Sequence, residues 1–145
     1  MGWSSYSVTK IKTTVHSATR FLKSLNHSGN ESAIFAALDG KTVIATLGIY
    51  KEDHIKKNHK AVIWGMYVDK NYRRQGLGHR LLDTAIQFAQ HNMRVASVAL
   101  SVEFKNESAK KLYLSKGFKC WGVEPKAINH NGLYLDEDHM VFFFE

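Results

Sequence analysis

The feature that most constrains the fold is a glycine-containing segment, "RRQGLG", which lies between an apolar run and a helical run. The preceding run, "KAVIWGMYVD", has no breaker except Gly65 and predicts a strand that is buried on both faces. After the glycines, apolar residues recur at the spacing of one helical face, which predicts an amphipathic helix. The residues on this face are Leu77, Leu81, Leu82, Ala85, Ile86 and Ala89. Because glycine costs roughly 1 kcal/mol against alanine inside a helix, two glycines at its start need a further reason.

Binding of an anion explains glycine at the start of this helix. A helix N-terminus has about four backbone N–H groups without an intrahelical partner and a partial positive charge, so it attracts phosphate. Glycine at positions 76 and 78 lets an anion approach these N–H groups and permits positive φ angles. The basic residues around this point are Arg73, Arg74, His79 and Arg80. The segment therefore predicts a phosphate site, and we favour a pyrophosphate.

Two common phosphate motifs do not fit the segment. A P-loop needs GxxxxGK[S/T], which is absent from the sequence. A dinucleotide fingerprint needs a third glycine, whereas Gly78 is followed by His-Arg-Leu. The alternative interpretation is that both glycines only form a tight turn between strand and helix. The arginines and the apolar strand before them favour the phosphate.

The other segments predict a single α/β (α+β) domain, residues 1–145, with a mixed sheet. Helical spacing predicts a helix over residues 16–28, and Asp39-Gly40 predicts the turn of a β-hairpin. A buried strand is expected over Val95–Val102. The element order is α-β-β-β-α-β-α-β-β, in which the central strand–helix–strand unit indicates a parallel pair.

The last third of the chain predicts a short helix and two strands. Asn106 is placed as the helix N-cap and Gly117 as the residue after its C-terminus. The segments "FKCWGV" and "HMVFFFE" predict the strands, and "NHNG" predicts a turn between them. In the first of these strands Cys120 is expected to be a buried apolar residue rather than a catalytic thiol.

Composition excludes several classes of protein. No run approaches the 18 apolar residues of a membrane span and no apolar signal segment begins the chain, so we expect a cytoplasmic protein without membrane contact. The net charge of +7 is spread out, and its densest segment, His54 to Lys60, predicts a loop rather than a nucleic-acid motif. The eight histidines are scattered without an HxxxH or HExxH pair, so no metal site is expected.

Two motifs together resemble the GNAT superfamily of N-acetyltransferases. The family's pyrophosphate motif for acetyl-coenzyme A, Arg/Gln-x-x-Gly-x-Gly/Ala, stands here as Arg73 to Gly78. The family's next signature, Asn-x-x-Ala-x-x-Leu-Tyr-x-x-x-Gly-Phe, is complete. Its residues are Asn106, Ala109, Leu112, Tyr113, Gly117 and Phe118. The resemblance covers residues 31–145, and the ending of the chain is similar to one large bacterial subgroup of the family.

The resemblance implies a GNAT-like mixed β-sheet flanked by helices, with the fourth and fifth strands splayed to admit coenzyme A. It implies acetyl transfer from acetyl-coenzyme A to a primary amine of a small molecule or protein, by direct attack in a ternary complex. Tyr67, Val68 and Asn106 would then contact the pantetheine arm. The residues implied around the pyrophosphate are Arg73, Arg74, Gln75, Gly76, Leu77, Gly78, His79 and Arg80.

Tyr113 is the residue that we expect to act in catalysis and to lie at the cofactor. A phenol near the thioester sulfur can donate a proton to the leaving coenzyme A thiolate. The alternative is that Tyr113 only packs in the core. For the oxyanion, the resemblance implies a backbone N–H near Tyr67 or Val68 as the donor.

No base for the acceptor amine follows from the sequence. Many relatives carry a glutamate on the fourth strand, but none lies between Ala61 and Val68. Glu103 and His59 are candidates, and deprotonation through water or attack by an already neutral amine is equally open.

The chain departs from the family at its beginning. Members start with a strand and one or two helices, whereas about thirty residues precede Glu31 here and "GWSSYSVTKIKT" resembles the link between two early helices. We therefore expect the first strand and helix to be absent, and either a partner subunit, in a homodimer, covers the exposed edge or the acceptor site is altered. Two alternatives stay open: a sensor that binds acetyl-coenzyme A without turnover, and a basic protein associated with nucleic acid. The acidic residues 136–138 are expected in a solvated turn.

Overall fold

The apolar and alternating segments of the sequence pair into one mixed sheet. The computed structural model describes residues 7–10 and 31–145, and within these residues the sheet has seven strands. The strands are β1 (Ser7–Lys10), β2 (Ser32–Asp39), β3 (Thr42–Lys51), β4 (Lys60–Val68), β5 (Ser97–Glu103), β6 (Lys119–His130) and β7 (Leu133–Phe143). Their spatial order is β1-β2-β3-β4-β5-β7-β6.

Two α-helices of the described part connect these strands. Helix α1 (Leu77–Phe88) continues into a π-helical turn over Ala89–Met93, and helix α2 (Glu107–Ser115) follows β5. Because α1 crosses over between β4 and β5, these two strands run parallel, whereas every other neighbouring pair is antiparallel. The predicted mixed sheet with a central strand–helix–strand unit is therefore confirmed.

The core lies between the sheet and the two helices, which pack on the same face. The ring of Phe88 in α1 meets Phe35 of β2 with centroids 5.5 Å apart, and Tyr113 of α2 meets Phe118 at 6.0 Å. Close contact between α1 and α2 joins these two parts of the core, since Gly78 lies against Leu112. The largest fully buried side chains are Phe118, Leu47, Ile49, Leu77, Leu81, Leu82, Met140 and Val98.

The turns and caps follow the sequence prediction. Gly40, at φ 61°, turns the chain between β2 and β3, and Asn131 and Gly132, at φ 51° and 86°, turn it between β6 and β7. The side chain of Asn106 caps α2, and Gly117, at φ 100°, lies just beyond its end. The segment before β4 is an exposed loop, as predicted.

The expectation that the first strand is absent is wrong. Residues Ser7–Lys10 pair with β2, from Ser7 opposite Leu38 to Lys10 opposite Phe35. A strand of four residues has too little pattern of its own, and its pairing with the open edge of β2 decides its structure. β1 thus occupies the edge for which the sequence predicted a partner subunit. The helix predicted over residues 16–28 lies outside the described residues.

Three further expectations about burial are wrong. Strand β4 is not buried on both faces, because Gly65 is exposed and the Tyr67 side chain is 55 % exposed. Cys120 is exposed, because β6 is the outermost strand of the sheet. The acidic residues 136–138 lie within β7 rather than in a turn, and Asp138 is buried in an ion pair with Lys110 at 3.1 Å.

Candidate active site

The parallel pair β4–β5 is joined only at one end. Pairing covers Lys60 to Val62 against Ser97 to Ala99, and beyond that point β7 is the only partner of β5 in the part of the chain that the structure describes. In β4 the register against β3 shifts next to Gly65, whose φ of 62° is typical of a glycine β-bulge that bends a strand. The two strands therefore separate, which confirms the predicted splay and opens a cleft through the sheet.

Two adjoining cavities occupy this cleft. A larger one of about 580 Å³ lies at the start of α1, and a smaller one of about 210 Å³ lies between the separated strands. Met66, Asn106 and Tyr113 belong to the walls of both, so the two cavities meet at these side chains. An elongated ligand can thus extend from the helix N-terminus to the space between the strands.

The N-terminus of α1 faces the larger cavity without a side-chain cap among the described residues. Gly76 is the N-cap residue, with φ 79°, and the backbone N–H of Arg80 is the one that donates to its carbonyl, at 3.1 Å. The first turn carries no acidic residue. Its leading N–H groups and the partial positive charge of the helix therefore remain available to an anion.

The two glycines of the segment have different structural roles. Gly76 needs its positive φ, whereas Gly78 has helical geometry and is required by space. A Cβ at position 78 would lie 3.0 Å from Leu112 Cδ2 and 3.2 Å from Met66 Cε. The second left-handed residue of the loop is Arg74, at φ 63°, a conformation that is uncommon for a residue with a side chain.

The larger cavity is positively charged. Arg73, Arg74 and His79 line it, and none of the described residues in its wall is acidic. The Nε of Arg73 donates to the carbonyl oxygen of Val68 at 3.0 Å, which ties the loop to the end of β4. Gln75 and Arg80, which the sequence analysis also placed at the pyrophosphate, are not among the lining residues. The lining residues that were predicted as cofactor contacts are Tyr67, Val68, Arg73, Arg74, Gly76, Leu77, Gly78, His79, Asn106 and Tyr113.

Asn106 lies where α2 begins and where the two cavities meet. Its Oδ1 accepts from the backbone N–H of Ala109 at 3.2 Å and from the hydroxyl of Ser108 at 3.3 Å. The amide therefore has its acceptor engaged in capping, while its Nδ2 hydrogens can donate to a ligand. One side chain thus both starts the helix and lines the cleft.

Tyr113 lines both cavities although its side chain is only 5 % exposed. Burial raises the pKa of its phenol above the ordinary value of 10.0, and desolvation is the cause. No hydrogen bond joins its hydroxyl to another of the described residues. The phenol therefore stays protonated at neutral pH and can donate a proton or a hydrogen bond into the cleft.

The two base candidates of the sequence analysis are separated by the fold. Glu103, at the end of β5, lines the smaller cavity. His59 is exposed in the loop before β4, at the closed end of the β4–β5 pair, where its carbonyl accepts from the N–H of Ala96 at 2.7 Å. Only Glu103 of this pair therefore reaches the cleft.

Sequence reasoning missed Ser101 and Tyr72, which line the smaller and the larger cavity respectively. Ser101 had a weak signal, since it is a polar residue in the apolar run "VALSV".

Among residues 7–10 and 31–145, no cluster of three or more His, Cys, Asp or Glu is placed to hold a metal ion. No helix in that part of the chain is long and apolar enough to span a membrane.

The family profile and the curated relative that match this sequence are both acetyltransferases. The Acetyltransferase (GNAT) family profile matches residues 4–118. N-alpha-acetyltransferase 30 from Xenopus laevis is 33 % identical over 84 residues, a segment that spans 58 % of this chain and 30 % of that protein. The chain thus covers less than a third of this curated relative.

Solved structures of low sequence identity share the fold. Salmonella typhimurium yncA, a putative acetyltransferase with its cofactor acetyl-CoA, superposes with a TM-score of 0.81 at 14 % identity, over 97 % of this chain and 95 % of that one. An acetyltransferase of the GNAT family from Streptococcus pneumoniae gives 0.79 at 23 % identity, over 92 % and 79 %. Because the family profile also matches well over half of the sequence, from residue 4 to residue 118, the chain belongs to the acetyltransferase (GNAT) family.

Proposed function

We propose that this chain is an N-acetyltransferase that moves an acetyl group from acetyl-coenzyme A to a primary amine by direct attack, with both substrates bound together. The observation that carries the proposal is the continuous cleft between the uncapped N-terminus of α1 and the buried phenol of Tyr113. A site that binds only phosphate would need the uncapped N-terminus of α1 but not the phenol of Tyr113. A thioester that is bound by its pyrophosphate and cleaved at its sulfur needs both.

The residues of the cleft fit acetyl-coenzyme A. The first-turn N–H groups of α1, together with Arg74 and His79, suit the pyrophosphate. Beyond Val62, alternate N–H and C=O groups of β4 face the gap left by β5 and are available to the amides of the pantetheine arm. The Nδ2 of Asn106 is a further donor at the midpoint of this path.

In the proposed reaction, each group around the smaller cavity has one role. The amine nitrogen attacks the thioester carbonyl carbon, and the carbonyl oxygen accepts a hydrogen bond from a backbone N–H of β4 where that strand borders the smaller cavity, since Tyr67 and Val68 line only the larger one. As the C–S bond breaks, the phenol of Tyr113 gives its proton to the sulfur. The amine loses one proton during the reaction, and the Tyr113 phenolate takes up one proton from solvent, which returns the site to its starting state. Since Glu103 is an acidic residue in the wall of the smaller cavity, an ammonium group is favoured there before it reacts.

The decisive experiment combines binding and turnover. A thermal shift with acetyl-coenzyme A tests the cofactor, and release of coenzyme A tests transfer to a panel of a peptide α-amine, a lysine-containing peptide with a blocked α-amine, and a diamine. We expect a shift and turnover with at least one amine. No shift with acetyl-coenzyme A would refute the proposal, whereas a shift without turnover on any amine would support the sensor. A steep salt dependence of duplex binding would favour the nucleic-acid alternative.

A matched pair of arginines sharpens the binding test. Arg74 and Arg94 are both exposed and both left-handed, at φ 63° and 55°, but only Arg74 lines the larger cavity. Arg74→Gln should therefore weaken acetyl-coenzyme A binding, and Arg94→Gln, which removes the same charge from the same backbone conformation, should not. Equal weakening by both variants would mean that only net charge attracts the ligand.

A homodimer and a cytoplasmic location stay part of the proposal. The reason for the dimer has changed, because β1 pairs with the edge of β2. Support now comes from the outermost strand β6, where Val123 is an exposed apolar residue on the face of the sheet opposite to Glu124. Sedimentation of the full chain tests this, and a monomer at micromolar concentration would refute it.

A further inference from the structure

Three polar side chains connect across the last three strands, on the face of the sheet opposite to α2. The hydroxyl of Ser101 on β5 lies 2.9 Å from Nδ1 of His139 on β7, its direct cross-strand partner. On the far side of the imidazole, Nε2 lies 3.7 Å from Oε1 of Glu124 on β6. These three residues, called the relay below, form a chain from one strand to the next.

The relay begins at the cleft and ends in solvent. Ser101 lines the smaller cavity, whose walls also include Glu103 and Tyr113. At the other end the side chain of Glu124 is 56 % exposed, on the outermost strand of the sheet. Because the cavity passes between β4 and β5, Tyr113 reaches it from one face of the sheet and Ser101 from the other.

The imidazole in the middle is held in a defined orientation. The ring of Trp121 packs against that of His139 with centroids 5.4 Å apart. When the Ser101 hydroxyl donates to Nδ1, the neutral ring carries its hydrogen on Nε2, which faces Glu124. Protonation at Nδ1 then gives an imidazolium whose Nε2–H faces the Glu124 carboxylate, with 3.7 Å between Nε2 and Oε1.

We propose that Ser101, His139 and Glu124 take the proton from the acceptor amine, an inference that rests on the proposed function. The amine donates a proton to Oγ of Ser101 while Oγ passes its own proton to Nδ1 of His139. One N–H bond of the amine breaks and one N–H bond of the imidazole forms, so no further reactant is required. Glu124 stabilises the imidazolium until the proton leaves to solvent.

Other charged groups share the face of the sheet that carries His139. Glu137 precedes it on β7 and lies opposite both Glu103 of β5 and Glu124 of β6, while Lys119 of β6 lies opposite Val141. Glu103 is the competing base, since it lines the same cavity as Ser101. The test must therefore distinguish transfer through Ser101 from direct transfer to Glu103.

The first measurement is the pH dependence of kcat with the best amine of the panel. His139→Gln should lower kcat by about 100-fold at neutral pH, within the range of general-base catalysis, and remove the acidic limb of the profile. The rate should recover at high pH, where the amine is neutral without assistance. His91→Gln, a change at an exposed histidine outside both cavities, is the matched control and should leave the profile unchanged.

A double variant separates a relay from independent structural effects. Ser101→Ala should give the same loss as His139→Gln, and the two together should lose no more than either alone, because both break one path. Ser101→Thr keeps the hydroxyl and should retain most of the rate. Unchanged kcat and pH profile in His139→Gln, or a loss seen only in Glu103→Gln, would overturn the relay. Thermal unfolding of each variant identifies any that lose rate through folding.

A measurement that needs no turnover keeps this inference separate from the proposed function. Nitrogen NMR of the labelled wild-type chain reports which ring nitrogen of neutral His139 carries hydrogen. Hydrogen on Nε2, with loss of the Nδ1 hydrogen-bond signature in Ser101→Ala, supports the relay. Hydrogen on Nδ1 overturns the relay even if acetyl transfer is efficient. Absence of turnover on any amine overturns the proposed function and the relay's role in it, even when the NMR signals show the hydrogen bond from Ser101 to His139.

Discussion

Replacing Tyr113 by phenylalanine removes only the hydroxyl oxygen, so the effect of this group on the reaction rate can be measured apart from its effect on stability. The side chain is 5 % exposed, and its hydroxyl has no hydrogen-bond partner among the described residues. Tyr113 lines both cavities, and its hydroxyl is not among the buried polar atoms that lack a partner, so the hydroxyl carries no full desolvation cost. The variant should therefore unfold with a free energy within about 1 kcal/mol of the wild type, since the ring contact with Phe118 is kept.

The same substitution should reduce the rate strongly. A positioned proton donor contributes typically 10²–10⁴-fold, or about 2.7–5.4 kcal/mol of activation free energy at 1.36 kcal/mol per factor of ten. Affinity for acetyl-coenzyme A should stay the same, because the hydroxyl acts on the sulfur only as the thiolate forms. Tyr113→Phe should thus show a low kcat with an unchanged dissociation constant for acetyl-coenzyme A.

The assay follows the coenzyme A thiol with a disulfide reagent. Cys120 is exposed and reacts with the same reagent, so one thiol per chain must be subtracted or the Cys120→Ser background used throughout. Tyr134→Phe is the control, because Tyr134 is an exposed tyrosine of β7 outside both cavities. Unchanged kcat at saturating substrates in Tyr113→Phe would remove the phenol from the mechanism and leave it a core residue.

Three further predictions concern the same region. Gly76→Ala should lower the free energy of unfolding by about 1–2 kcal/mol, because alanine is strained at φ 79°. Gly78→Ala should change this free energy by less than about 1 kcal/mol, since the higher helix propensity of alanine offsets the close contact with Leu112. Equal losses for the two variants in urea unfolding would contradict this distinction. Phe118→Ala should cost about 3–5 kcal/mol in the same assay, because this side chain is fully buried, and a loss under 1 kcal/mol would contradict its place in the core. Above pH 10 the wild type should lose stability that Tyr113→Phe retains, because the raised pKa of Tyr113 makes the folded state hold a proton that the unfolded state releases. Parallel curves of unfolding free energy against pH for the two proteins would contradict this prediction.

Local sequence signals were sufficient for most of the elements. The hairpin at Asp39-Gly40, the caps of α2 and the amphipathic α1 each rest on residues close together in the chain, and each is where the sequence predicted it. Errors arose where a neighbour in space decides the outcome. The short strand β1 forms because β2 offers a free edge, and Cys120 is exposed because β6 lies at the end of the sheet.

The candidate site was predictable only in part for the same reason. Gly76, Arg74 and Asn106 belong to contiguous motifs, so their side of the cleft could be inferred without coordinates. Ser101 and His139 are separated by 38 residues in the chain and meet only because β5 and β7 are adjacent in the sheet. No periodicity or spacing relates Ser101 to His139, so the sequence indicated Glu103 as a candidate base but not this pair.

The sequence by itself determined the glycine-containing start of α1, the order of the elements from β2 onward and the family. These properties depend on backbone conformation and hydrogen bonding within a few residues, which side-chain type controls directly. Only the tertiary structure decided where β4 and β5 part, that Tyr113 and Glu103 line one cavity, and that Ser101 reaches solvent through His139. Those properties depend on strand order and register, which arise when distant segments pack together and bury a common core.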